Sequence, residues 1–157
     1  MITLAAPERT LRLQSETLQW NTGVAPQFID ITDEVERAVR RSQVRDGMVV
    51  VYSQHTTAAI KIIEHEPLLL KDLESMLRRV APSDAAYYHN DFNVRTVNMC
   101  PDERTNAHSH CQHLFLGTSE TIPLQEGEMR FGRWQRIFLV ELDGLQRRNV
   151  IVQIVGL

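Results

Sequence analysis

The chain has 157 residues and a mass of 18.1 kDa, enough for one domain to bury a core without disulfide or metal staples. Its 43% hydrophobic and 24% charged content is that of a folded, water-facing domain and excludes a disordered chain. Seventeen basic against twenty acidic residues leave a net charge of -3, so there is no global positive field to draw nucleic acid.

The first residues, MITLAAPERTLRL, meet a proline and charges before any apolar run of signal-sequence length. No stretch approaches the roughly 20 apolar residues that span a bilayer. The expectation is a cytoplasmic chain with no membrane partner. Residues 10–19 alternate Leu11 and Leu13 with Arg12 and Gln14, and Leu18 resumes the pattern, which predicts a half-buried strand near a sheet edge. Residues 27–31 form a short second strand candidate. Thr32 is placed to cap a helix whose first turn carries Asp33 and Glu34 and whose inner face carries Val35, Ala38 and Val39. That helix stops before the Asp46-Gly47 turn, and residues 48–53, an almost continuous apolar run, read as a buried central strand.

After Gln54-His55-Thr56-Thr57, residues 58–63 predict another strand, closed by Glu64-His65-Glu66. Pro67 suits the first turn of a helix, where its missing N–H costs nothing. Leu69, Leu73, Met76, Leu77 and Val80 supply that helix's apolar face up to Ala81-Pro82. Periodicity vanishes over residues 87–107, a long irregular passage of the kind that carries function. Strands then resume over 110–117, 119–123, 135–141 and 150–155, with turns at Gly127, Gly132 and Gly144. Two main helices among eight or nine strand candidates predict a single α+β domain over residues 1–157, its sheet mostly antiparallel and covered by helices on one side.

His108-Ser109-His110 is the sharpest local signal. In an extended segment residues two apart share a side, so both imidazoles would converge on one ion or anion; an ordinary polar strand end is the competing reading. Imidazoles suit Zn, Ni or Fe, whereas Mg prefers oxygen. His113 falls on the opposite face of such a strand and is left out. His55 follows the buried strand directly, and Glu64, ending the next one, returns to the same edge as ligand, base or histidine orienter. The irregular passage supplies His89, Asp91, Asn93 and Arg95, and Asn106 precedes the histidine pair. Arg133, Arg136, Arg147 and Arg148 are phosphate partners by type but are scattered. Cys100 and Cys111 form no framework or close metal pair. No nucleotide fingerprint, serine elbow or zinc-finger spacing occurs.

Four segments in order, HTTAAIKIIE (residues 55–64), NAHSH (106–110), FLGTSETIP (115–123) and GRWQRIFLVELDG (132–144), closely resemble the YjbQ-like family, also called secondary thiamine-phosphate synthase enzyme. The resemblance covers nearly the whole chain. It implies a compact α+β subunit, a homo-oligomer assembled as a trimer, and a polar cavity near subunit contacts that takes a metal or a phosphate-like anion. On this pattern the family's histidine and acidic positions fall on His55 and Glu64, its Asn-Ala start on Asn106-Ala107, and its histidine pair on His108 and His110. Its Gly-x-Trp-Gln falls on Gly132, Trp134 and Gln135, and its acidic-Gly turn on Asp143-Gly144. The chain departs from the family at Arg133, usually a small polar residue, and at Leu145-Gln146, commonly Pro-Arg.

The implied activity joins a pyrimidine methyl diphosphate to a thiazole phosphate with release of pyrophosphate. The site expected for it uses His55, His108 and His110 toward a divalent metal, Zn or Mg, or an anion. Glu64 orients a histidine or completes the shell, and Arg95 and Asn106 hold oxygens of a small phosphorylated metabolite. Hydrolysis of a phosphate ester by a metal-activated water, and non-enzymatic binding of a metal or phosphometabolite by an oligomer, are the alternatives.

Overall fold

The computed structural model describes residues 10–157; the signal-sequence reading of the first nine residues lies outside them. Two antiparallel sheets face each other. The larger has the order β1-β8-β3-β5-β6, formed by β1 (Arg12–Asn21), β8 (Arg147–Gly156), β3 (Gly47–Ser53), β5 (Ser119–Gln125) and β6 (Glu128–Met129). The smaller has the order β2-β7-β4, formed by β2 (Gln27–Asp30), β7 (Gln135–Glu141) and β4 (Ala58–Glu64). All pairings are antiparallel. The expected α+β class with a mostly antiparallel sheet is the observed one.

Alternation places the core. Val49 and Val51 of β3, Val150, Val152 and Ile154 of β8, and Ile122 of β5 point inward and meet Ile60, Ile137 and Leu139 of the smaller sheet, all essentially buried. Each such side chain contributes roughly 1.5–3 kcal/mol on burial. Helix α1 (Thr32–Ser42) inserts Val35, Ala38 and Val39 into this core. The other face of the smaller sheet, through Phe138 and Val140, packs on Leu77 of α2 (Pro67–Val80). The larger sheet's outer face is exposed at Leu13, Met48 and Tyr52.

Several expectations shift in register. Leu11 and Leu13 are each 68% exposed, and the inward phase of the edge strand β1 is the opposite one, carrying Leu18 and Trp20. β3 is central in its sheet yet buries only one face. Thr32 is the first helical residue rather than the cap: its hydroxyl accepts the Ile137 N–H at 2.8 Å, while the Asp30 carboxylate accepts the Thr32 N–H. Pro67 does open α2, and the preceding Glu66 caps it by accepting the Leu68 and Leu69 N–H groups. Of the five apolar residues assigned to the inner face of α2, only Leu77 is buried, and Met76 and Val80 are exposed.

The largest correction concerns the expected strand over 110–117. Residues Ala107–His113 form a short helix, α3. Its buried face is polar: Ser109 Oγ donates to the Leu142 carbonyl at 2.7 Å, and Gln112 Nε2 donates to the Leu77 and Ala81 carbonyls, both at 3.1 Å. A helix docked by hydrogen bonds has no apolar periodicity to betray it.

Candidate functional site

One end of the molecule collects the turn after β3, the end of β7, the start of β8, α3 and the loop before α3. His55 sits in the first of these, half-buried, and its Nε2 accepts the Asn149 N–H at 2.8 Å. That bond leaves Nδ1 to carry the proton. Burial lowers the His55 pKa, the Arg148 guanidinium lowers it further, and Glu141 opposes.

Helix α3 turns His108 and His110 apart. Residues two apart on a helix differ by about 200° in direction, so the pair cannot converge as it would on a strand. His108 lines a cleft of about 490 Å³ bounded by the β1–β2 loop, the C-terminal end of α2, α3 and the residues after β7. Arg78, Gln112 and Asp143 also line it. His108 Nδ1 is buried without a partner, and its Nε2 lies 3.3 Å from Ser109 Oγ. Burial and then Arg78 lower its pKa, against Asp143, which raises it.

His110 instead meets His89, edge to face, with ring centroids 4.8 Å apart. Burial, His89 and His113 all hold its pKa down, while Asp143 and Glu103 raise it. Three sequence-near histidines therefore form two electrostatic neighbourhoods joined through Asp143. His113, excluded on the strand reading, acts on His110 because residues three apart share a helix face.

Arg95 does not reach outward. Its side chain is 12% exposed and donates to the His89 ring nitrogen and carbonyl, to the Asn98 carbonyl and to the Glu103 carboxylate. It holds the irregular loop together and presents His89 to His110. Asn106 precedes α3 with its Oδ1 buried and unpaired. Asn90 Oδ1 accepts the Ala107 N–H at 3.1 Å, pinning the loop to the start of the helix.

Glu64 lies elsewhere. β4 runs away from His55, pairing Ala58 with Glu141 at one end and Glu64 with Gln135 at the other. Six residue steps at about 3.3 Å each put Glu64 roughly 20 Å from the histidine end. It is exposed there, beside the segment where Arg133 stacks on Trp134 at 4.4 Å and Gln135 accepts the Gly132 N–H. In one chain Glu64 cannot complete a shell with His55, His108 and His110.

Beneath the site lies a buried ion pair unforeseen as such. Arg148 donates through Nε and Nη2 to Glu141, both at 2.6 Å, and Nη2 also reaches Thr57 Oγ1 at 3.0 Å. Glu141 further accepts from Thr22 Oγ1 and from the N–H groups of Asp143 and Gly144. Burial pushes the Glu141 carboxyl up, but Arg148 and those backbone donors outweigh it and bring it down to about 2. The signal was in the alternation: Arg148 continues the inward phase of Val150, Val152 and Ile154, and Glu141 that of Ile137 and Leu139. Two inward charges of opposite sign on facing sheets predict each other.

The chain matches the family model described as UPF0047 protein YjbQ-like over residues 16–157. It belongs to the UPF0047/YjbQ-like family. A UPF0047 protein of Methanothermobacter thermautotrophicus is 38% identical over 146 residues, 93% of this chain and 94% of that one. Another UPF0047 protein, from Archaeoglobus fulgidus, is 37% identical over 136 residues, 87% and 97% of the two chains. Among solved structures, a YbjQ-like protein of unknown function from Sulfolobus solfataricus superposes with a TM-score of 0.84 at 32% identity, covering 94% of this chain and all of that one. A hypothetical protein from Aeropyrum pernix gives 0.82 at 30%, covering 92% and 99%.

Within this UPF0047/YjbQ-like chain the expected three-histidine metal set does not fit one ion. His55 Nε2 is spent on a backbone N–H, and His108 and His110 face different neighbourhoods. Among the described residues no group of three or more His, Cys, Asp or Glu side chains is placed to hold a metal. Likewise, no described helix is long and apolar enough to cross a membrane.

Proposed function

We propose that this UPF0047/YjbQ-like chain binds a small phosphorylated metabolite at the histidine end and carries out thiamine-phosphate synthase chemistry there. The observation that supports the reading is the cleft itself: His108 and Arg78 on its wall, with His110 and His89 paired on the other side of α3. In this reaction the bond between the pyrimidine methylene and the diphosphate oxygen breaks, and its electron pair leaves on pyrophosphate. The thiazole nitrogen closes the new carbon–nitrogen bond with its lone pair and keeps the positive charge.

The protein's task is to stabilise charge growing on the leaving diphosphate. Arg78 supplies a permanent cation. His108, whose pKa burial lowers, shares the cleft wall with Arg78. Asn106 takes an orienting part, whereas Arg95 acts through the loop, by placing His89 against His110. A divalent ion, Mg or Zn, belongs to the proposal as a companion of the substrate diphosphate, because the three histidines of one chain do not hold it together.

The test is pyrophosphate release with and without the thiazole phosphate. Release that requires the thiazole and appears with thiamine phosphate supports synthesis. Phosphate or pyrophosphate release that ignores the thiazole identifies a hydrolase, and ligand retention without turnover identifies a binding protein.

Assembly as a trimer is the second part of the proposal. Across the outer face of the larger sheet, register aligns Leu13, Val155, Met48 and Pro123 in one row. Ser15, Gln153, Val50 and Thr121 form the next, and Thr17, Ile151, Tyr52 and Ser119 a third. None of these side chains is charged. Three adjacent solvent-facing rows without a charge, with Arg147 and Glu128 only at the margins of the face, fit an interface with further copies. Sedimentation equilibrium is expected to give a particle of three times 18.1 kDa; a monomer at micromolar concentration would contradict it.

A further inference from the structure

The irregular loop before α3 forms a cavity of its own, of about 440 Å³, lined by Phe92, Met99, Cys100, Pro101 and Glu103. None of these residues lines the cleft beside His108. Small-molecule sites run from roughly 300 to 1,000 Å³, so the volume suits a ligand of one ring or a short chain. Phe92 and Met99 are 39% and 45% exposed. A phenyl ring, a thioether and a proline left open to water in one place favour an apolar occupant.

Glu103 gives this apolar surface a charged end. Its Oε2 accepts from Arg95 and from the Cys100 N–H, which fixes the carboxylate. Oε1 accepts no hydrogen bond among the described residues, and His89 Nε2 stands 3.7 Å from it. The side chain is 16% exposed, which leaves this oxygen to a group bound in the cavity.

The surroundings set the sign of that group. Residues 87–103 carry three acidic side chains, Asp91, Asp102 and Glu103, against one basic, Arg95. The Arg95 guanidinium lies 5.7 Å from the centroid of Phe92, so the ring already serves a cation on one side. An anion would meet the Glu103 carboxylate and a surplus of like charge. A neutral apolar molecule would leave Oε1 without a donor. An ammonium group on an apolar body satisfies the carboxylate, the ring and the thioether together.

We infer that this cavity binds a small organic ammonium, with its apolar body against Phe92 and Met99 and its N–H groups on Glu103 Oε1. The inference stands apart from the phosphometabolite reading, since it concerns other residues and a cation in place of an anion. The carboxylate that receives the ammonium is also the one that holds Arg95 beside His89, and His89 packs on His110. Occupancy of the cavity therefore reaches the histidine pair through one shared carboxylate.

The experiment is an NMR titration of the full chain, following backbone amide signals, with three probes of one shape: 2-phenylethylammonium, 2-phenylethanol and phenylacetate. The ammonium compound should give saturable shifts at millimolar concentration, the range open to so small a ligand, largest at Phe92, Met99 and the Cys100 N–H. It should bind about tenfold tighter than the alcohol, and phenylacetate should not saturate. Met99→Ala, at an exposed position, should weaken the ammonium and the alcohol alike, by about threefold or more. Glu103→Gln keeps an oxygen for Arg95 and the Cys100 N–H and removes the charge, so it should bring the ammonium down to the affinity of the alcohol. Should that variant loosen the loop, the wild-type ranking of the three probes and the Met99→Ala result decide. Equal affinity for the ammonium and the alcohol, shifts scattered over other acidic surface, or no saturation at the loop overturns the inference. Each outcome stands whether or not the chain forms thiamine phosphate.

Discussion

Arg148→Met should destabilise the folded chain by about 3–5 kcal/mol in urea unfolding, the usual consequence of stripping a buried carboxylate of its cation. Glu141 is fully buried, and Arg148 is 4% exposed. The pair joins the end of β7 in one sheet to β8 in the other. Removing both partners as Glu141→Leu with Arg148→Met should recover only part of the loss, because the Asp143 and Gly144 N–H groups then lose their acceptor. A loss below about 1 kcal/mol for the single variant would mean that the pair does not anchor this end.

Acid reads the same pair. The Glu141 carboxyl ionises at about 2 in the folded chain against an ordinary 4.5, and Asp30, held by Arg136 and Thr32 against the rise from burial, at about 2 against 3.8. Below those ordinary values the unfolded chain binds more protons than the folded one, so stability is lost as pH falls from about 4.5 toward 2. His55, His108, His110 and His113 are all lowered from 6.5 by burial. They add a further loss that begins as pH drops below that value, with the same sign.

Leu145→Pro should cost roughly 2–4 kcal/mol of stability. Leu145 has φ +49°, outside the range a proline ring allows, and its N–H donates to the Gly23 carbonyl at 2.6 Å. Gly144 before it has φ +81°, and a Cβ there would come within 2.9 Å of the Gly23 carbonyl oxygen. The Asp143–Gln146 turn is thus built on a backbone that a proline at 145 could not adopt. Arg104 brings a positive charge to this turn by donating to the Gly144 carbonyl. A thermal melt unchanged by Leu145→Pro would show that the turn relaxes freely.

What was legible in the sequence follows from how each element is held. Strands β3, β4, β5, β7 and β8, and helices α1 and α2, are docked by apolar side chains, and alternation or the helical repeat exposes them. Helix α3 is docked by Ser109 and Gln112 through hydrogen bonds, so its histidines read as a polar strand end. That single misreading produced the convergent His108–His110 pair. Gathering chemistry around His55, His108 and His110 required only that they lie near one end of the fold, whereas placing Glu64 with them required the direction of β4, which periodicity does not carry. His89 and Glu103 sit in a loop with no repeat, and their partnership with Arg95 and His110 is a tertiary fact.

The most direct measurement is thiamine phosphate formation from the pyrimidine methyl diphosphate and the thiazole phosphate, comparing the wild-type chain with His108→Asn/His110→Asn at matched metal content and with folding verified. Product is expected from the wild-type chain, with a loss of at least about a hundredfold in the double variant, the scale on which disturbing a site preorganised for a developing anion is felt. Product formed equally well by both proteins would contradict it, and product formed by neither would turn the histidine end into a binding site.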